Sequence, residues 1–235
     1  MITLGFDTSG NYCAAALHRA EDDEILAEIS EDIGRGHAER LMDVIATTLD
    51  AAQLEYDSIA RVAASAGPGS FTGVRVGLAT ARGLALGLSV PVVGVNTLAA
   101  HRRAANHENL LVVVDARRGE AYCQIFEGSG FVSATSGESM PKGAFLADYE
   151  TVARMVRDFP RKSILVCGSG SGELNRILEN LESPPFSVLN NLATPPISAI
   201  VREGAAMDYG GTSPQPIYLR GADAKPQSGF ELERR

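Results

Sequence analysis

The stretch from Gly67 to Leu88, GPGSFTGVRVGLATARGLALGL, constrains this chain more than any other. Gly67-Pro68-Gly69 is turn chemistry, because proline presets φ and glycine permits positive φ. Ser70 follows as an N-cap, and the residues beyond it have helical spacing. The helix is nevertheless studded with glycine. Gly69, Gly73, Gly77 and Ala81 lie four apart and form one ridge, and Gly83 and Gly87 repeat the spacing. Each interior glycine costs about 1 kcal/mol relative to alanine. Several of them weigh heavily against a total stability of about 5–15 kcal/mol. Close approach of another helix would offset that cost. The partner helix lies either in this chain or in another.

A helix N-terminus behind a glycine-rich turn is also an anion site in principle. Here the details argue against phosphate binding. Nothing matches GxxxxGK[ST], so the lysine of a P-loop is missing. The spacing of Gly67, Gly69 and Gly73 departs from the dinucleotide fingerprint by one residue, and no acid follows about twenty positions later to hold a ribose. The stretch reads better as a packing surface.

Around it the chain alternates strands and helices. ITLGFDTS, YCAAALHR and EILAEISE read as a three-strand meander. In HAERLMDVIATTLDAAQL, Leu41, Val44, Ile45, Leu49 and Ala52 share one helical face. IARVAASA and VPVVGVN are further strands, and TLAAHRRAAN is a short helix with Thr97 as its expected N-cap. Near Asn106 the pattern restarts. NLLVVVDARRGEAYCQIFEG is strand, polar turn, strand, echoing the strand that ends at Asp7. SGESMP reads as a loop. SILVCGSGSGELNRIL is strand, glycine turn and helix, and ISAIVREGAAMDYG is a helix expected to end at Gly210-Gly211. The restart predicts two lobes of related design, 1–103 and 104–220, followed by a loose polar tail over 221–235.

The formal net charge of −8 is uneven: residues 1–60 carry 3 basic and 13 acidic side chains. An acidic front half repels nucleic acid, so any service to RNA is expected to run through a partner. Cys13, Cys123 and Cys167 are odd in number and sit among apolar residues, which predicts buried free thiols in a reducing compartment. No apolar run reaches spanning length and MITLGFDTSG reads as a strand rather than a leader, so a cytoplasmic location away from membranes is expected.

The long glycine motif, together with VPVVGVNTLAA after it, GFDTS at 5–9, VVVDARRGEAY at 112–122 and PIYLR at 216–220, resembles the TsaB (YeaZ) family. The resemblance covers nearly the whole chain to about Arg220. It implies a two-lobed α/β fold of the ASKHA type (actin-like ATPase, ribonuclease H-like), with mixed sheets flanked by helices. It further implies a subunit of the bacterial complex that makes threonylcarbamoyladenosine beside the anticodon of tRNA. In that family the subunit is not the catalyst. It supports a catalytic paralogue, TsaD, is joined by the ATPase TsaE, and can pair with itself. The implied partner-binding residues are Gly69, Ser70, Phe71, Thr72, Gly73, Arg75, Val76, Gly77, Thr80 and Ala81. On this reading the glycine ridge is exposed in the monomer.

The residues agree with a non-catalytic role. The paralogue holds metal on an HxxxH helix; here His37 is followed four residues later by Leu41, so neither metal nor any other cofactor is expected. His18, His101 and His107 are isolated. Asp7, Thr8 and Ser9 could form a phosphate hairpin or a self-bonded turn. Where active ASKHA enzymes place a second glycine-rich phosphate loop, this chain has Arg117 and Arg118, which could hold an anion or a partner carboxylate. These five residues are the candidates for a nucleotide at the partner interface. GSGSG at 168–172 is either a cradle for a nucleotide or a turn leading into a helix. Two alternatives compete: a stand-alone ATP-dependent phosphotransferase and a metallopeptidase-like protein. The arginines of the second loop argue against the first, and the absence of HExxH against the second.

Overall fold

A computed structural model describes residues 1–107, 109–127, 143–157, 164–178, 186–189 and 192–220. The polar loop at 136–141 and the tail over 221–235 lie outside the described residues.

The first lobe contains β1 (Ile2–Asp7), β2 (Tyr12–Arg19), β3 (Glu24–Asp32), α1 (His37–Ala51), β4 (Ile59–Gly67), α2 (Phe71–Leu88), β5 (Val92–Asn96) and α3 (Thr97–Ala105). The second repeats the order with β6 (Leu110–Arg117), β7 (Glu120–Phe126), β8 (Phe145–Asp148), α4 (Tyr149–Arg157), β9 (Ile164–Cys167), α5 (Ser171–Leu178), β10 (Phe186–Val188) and α6 (Ile197–Ala206). The sheets have the strand orders β3-β2-β1-β4-β5 and β8-β7-β6-β9-β10. In each, an antiparallel meander is followed by parallel strands. The topologies match element for element. This is the expected ASKHA architecture of mixed sheets flanked by helices.

Alternation along β1 and β4 explains the layering. Leu4 and Phe6 point to one face with Val62 and Ala64, and meet Leu41, Val44, Ile45 and Leu49 of α1 and Val74, Leu78, Ala81 and Ala85 of α2. The opposite face carries Ala14, Ala16, Ala63, Val93 and Val95 and packs against Ile197, Ile200 and Val201 of α6. There a Cβ on Gly5 would lie 2.6 Å from that of Val201, so the absent side chain lets the helix sit on the sheet.

That contact ties the two lobes together. Helix α6 belongs to the second lobe by topology but packs on the first sheet, touching β1, β2, β4 and β5. Reciprocally, Leu98 of α3 packs with Leu110, Val112 and Cys167 of the second sheet. Each lobe's last helix reaches across because the outer sheet faces are already covered by α1 and α2, or by α4 and α5. Arg61 secures the crossing: its Nη1 donates to the carbonyls of Gly204, Ala205 and Met207 at 3.0, 2.8 and 2.7 Å.

Two helix ends also differ from expectation. The N-cap of α3 is Asn96, whose side chain accepts from Leu98 N, while Thr97 Oγ1 donates to the carbonyl of Pro68 at 2.7 Å. Helix α6 stops at Ala206, short of Gly210-Gly211, because Arg61 takes its terminal carbonyls. After it a strap returns along the first lobe, with Ile217 N donating to Ala66 O at 2.8 Å.

Candidate partner interface

Helix α2 begins as the sequence predicts, with Ser70 accepting from Gly73 N at 3.3 Å. Its glycine ridge, however, faces inward. A Cβ on Gly73 would collide with the carbonyl of Thr8, and Thr8 Oγ1 donates to Gly73 O at 2.7 Å. A Cβ on Gly69 would stand 2.5 Å from Ser9 O, and one on Gly77 2.8 Å from Thr8 Oγ1. Ala81 is fully buried in the core. The ridge therefore meets the β1–β2 turn of its own lobe, and the expectation that it is exposed in the monomer is overturned. The backbone that offsets the glycine cost is Thr8-Ser9 itself.

The outward face of α2 is a different set. Ser70, Phe71, Thr72, Arg75, Ala79, Gly83, Leu86 and Gly87 are exposed, with Val76 and Thr80 half-buried beside them. Thr72, Val76, Ala79, Gly83 and Leu86 recur at alternating steps of four and three, the spacing of a helix–helix seam. Leu86 is 83% exposed, and nothing lies within 4 Å of a Cβ placed on Gly83 or Gly87. On α1, which shares the core with α2, Met42 is likewise exposed. Of the expected partner residues, Ser70, Phe71, Thr72, Arg75, Val76 and Thr80 reach this side; Gly73, Gly77 and Ala81 are buried, and Gly69 is half-buried against Ser9.

At the N-terminal end of this face stands an aromatic cluster. Arg75 lies over the Phe71 ring, 3.7 Å from its centroid, and its Nε donates to Tyr218 Oη at 2.8 Å. The two rings are 5.4 Å apart. Phe71 is 52% exposed and Tyr218 48%. Tyr218 belongs to the PIYLR motif. Ile217 packs against the core, and Arg220 pairs with Glu120 of the second lobe.

The proposed nucleotide residues lie in two turns, Asp7, Thr8 and Ser9 at the end of β1 and Arg117 and Arg118 at the end of β6. Asp7, Thr8 and Ser9 are buried; Asp7 Oδ1 accepts from Ser9 N at 2.8 Å, and Ser9 O from Ser70 N at 2.7 Å. Asp7 also lines an open cavity of about 280 Å³ with Tyr12, Ala14, Ser30 and residues 193–197. Arg117 and Arg118 are exposed in the β6–β7 turn, with φ of 64° and 59°. GSGSG is a packed turn: Gly170 N donates to Val113 O at 2.9 Å, and a Cβ on Gly168 would collide with that carbonyl. Beside it Tyr149 Oη donates to Asp115 Oδ1 at 3.4 Å; burial, with Asp115 adjacent, pushes the tyrosine's pKa up and keeps the donor protonated. Burial also pushes Cys13 to about 11 and Cys123 and Cys167 to about 12, which leaves unreactive thiols.

The family model for TsaD, tRNA N6-adenosine threonylcarbamoyltransferase, matches residues 24–140. The chain is 36% identical over 126 residues to the tRNA threonylcarbamoyladenosine biosynthesis protein TsaB of Escherichia coli. That match covers 52% of this chain and 53% of the relative, so it spans about half the relative's length. TsaB of Bacillus subtilis matches at 26% over 231 residues, covering 96% of this chain and 97% of that one. Over nearly its whole length the chain is thus similar to a TsaB (YeaZ) protein. The solved structure of YeaZ from Pseudomonas aeruginosa superposes with a TM-score of 0.69 at 24% identity, covering 93% of this chain and all of that one, and shares its fold.

For this TsaB-type chain, motif reading missed Ala79, Gly83, Leu86 and Tyr218. A signal for the first three was present in the four-and-three spacing from Thr72. None existed for Tyr218, which reaches Phe71 only through the path of the strap.

Proposed function

We propose that the chain is a non-catalytic subunit of the machinery that makes threonylcarbamoyladenosine in tRNA, and that it docks through the outward face of α2 onto a TsaD-type catalytic paralogue. The observation that carries this reading is the run Ala79, Gly83 and Leu86 at seam spacing, exposed on a helix whose other side is fully packed. Small residues there admit a partner helix at close range, and a large exposed leucine gives it something to bury. The relatives' names supply the process, and the matched TsaD model supplies the kind of partner.

A supporting role, with tRNA reached only through the complex, accords with the packing of these turns. In the first lobe the turn after β1 is held by α2; in the second, Tyr149 and Val113 fill the space around Asp115 and Gly170. A TsaE-type ATPase and a second copy of this chain are further partners on this reading, in the cytoplasm. Among the described residues no helix is long and apolar enough to cross a membrane.

The test is Gly83→Leu in purified protein mixed with the TsaD-type subunit. The variant should keep its circular dichroism spectrum, lose co-elution with the partner on gel filtration, and fail to restore modified tRNA in depleted cells. Normal co-elution would place the interface elsewhere.

A further inference from the structure

Between Asp57 and Glu108 the chain has no carboxylate side chain and five arginines, Arg61, Arg75, Arg82, Arg102 and Arg103, in a protein whose net charge is −8. Helix α2 lies within this interval and carries two of these arginines, Arg75 and Arg82, and no acid. Arg61 and Arg82 turn to backbone carbonyls of 204–207 and of Pro214, and Arg103 pairs with Glu203. Arg75 differs. It faces outward over Phe71, and its hydrogen bond to Tyr218 uses Nε only. A guanidinium stacked on the Phe71 ring, whose side-chain hydrogen bond to Tyr218 among the described residues engages Nε, is preorganised for a planar anion.

Resting on the α2 docking reading, we propose that Phe71, Arg75 and Tyr218 form a carboxylate-receiving anchor, and that the occupant is an acidic side chain of the protein that docks on α2. The C-terminal strap is then part of the interface, because it supplies Tyr218. Three observations favour a protein carboxylate over an RNA phosphate. The cluster is continuous with a face of small and apolar residues that offers a nucleic acid little to hold. It presents one fixed cation, whereas a phosphate backbone is held by several in series. Exposed Phe, Tyr and Arg in one cluster also have the composition of a protein hot spot.

The experiment measures affinity for the purified TsaD-type subunit by calorimetry at low and high salt, with thermal unfolding as the control for folding. Arg75→Gln and Tyr218→Ala should each weaken binding by about tenfold or more, the size of a hot-spot truncation. The salt dependence of binding should be shallower for Arg75→Gln than for the parent protein. Arg75→Lys should fail to restore affinity, since a lysine keeps the charge but not the stacked fork. Tyr218 is half exposed and outside the core, so Tyr218→Ala remains a test even if an Arg75 variant folds poorly.

Unchanged affinity in the Arg75 and Tyr218 variants, with loss in Gly83→Leu, would overturn the anchor and leave the α2 interface standing. Unchanged affinity in all three would overturn both. Intact partner binding with weakened retention of tRNA by the assembled complex would overturn the carboxylate assignment in favour of RNA.

Discussion

Thr8 and Gly73 lock the first lobe from both sides: the Thr8 hydroxyl donates to the Gly73 carbonyl at 2.7 Å, while the Thr8 carbonyl fills the space where a side chain on Gly73 would begin. The glycine-rich helix is thereby sewn to the turn after β1. Its composition serves the fold before it serves any partner.

Gly73→Ala should therefore destabilise the isolated chain although alanine is the better helix former. The obstructing atom is backbone, so the β1–β2 turn must move. A loss of about 1–3 kcal/mol is expected, the usual cost of overpacking, read as a lower midpoint in urea unfolding. Gly77→Leu should act in the same direction, since even its Cβ would stand 2.8 Å from Thr8 Oγ1. An unchanged midpoint in both would mean that the ridge is not packed as described.

Gly83→Ala should do the opposite. Nothing lies within 4 Å of the added methyl, and replacing an exposed helical glycine gains about 0.5–1 kcal/mol. A raised melting temperature in the free chain would confirm that this ridge is open. A lowered one would place a neighbour against it.

Arg61→Met keeps the alkyl stem but removes donors to three carbonyls at the end of α6. Hydrogen bonds to a charged group are each worth about 1.5–3 kcal/mol, so the loss should be at least one such increment. Hydrogen exchange should show faster opening of Ile197–Ala206 than of α1. Uniform protection across both helices would show that α6 is held by packing alone.

His101 predicts a pH dependence. Burial is the main cause of its lowered pKa; hydrogen bonds at Thr97 O and Ala193 O and the charge of Asp7 push weakly the other way. Below the ordinary histidine value of about 6.5, the unfolded chain takes up a proton that the folded chain resists. Unfolding then binds protons, so this contribution is full above that value and is lost as pH falls toward the lowered folded value. His101→Gln should flatten the melting temperature between pH 7 and about 5. An equal slope in the variant would assign the dependence to other groups.

Most elements and their order were legible in the residues alone, although β8, α4 and β10 were not. Strand and helix periods differ, and the restart near Asn106 announced a second lobe with the same strand–Asp–turn–strand design, which β1–β2 and β6–β7 display. The glycine spacing also pointed to a close approach somewhere along α2, and a partner helix was the expected neighbour. It did not determine which side of α2 makes that approach. Gly73 and Gly77 on one side and Ala79 and Gly83 on the other are alike in size and polarity, so periodicity cannot rank them. Only tertiary docking did, by bringing Thr8 O against Gly73 from 65 residues away. The same holds for α6, whose amphipathic pattern specifies an apolar face but not a sheet. Gly5 left room for Val201, Arg61 was placed to take its last carbonyls, and the helix therefore settled on the lobe that precedes its own.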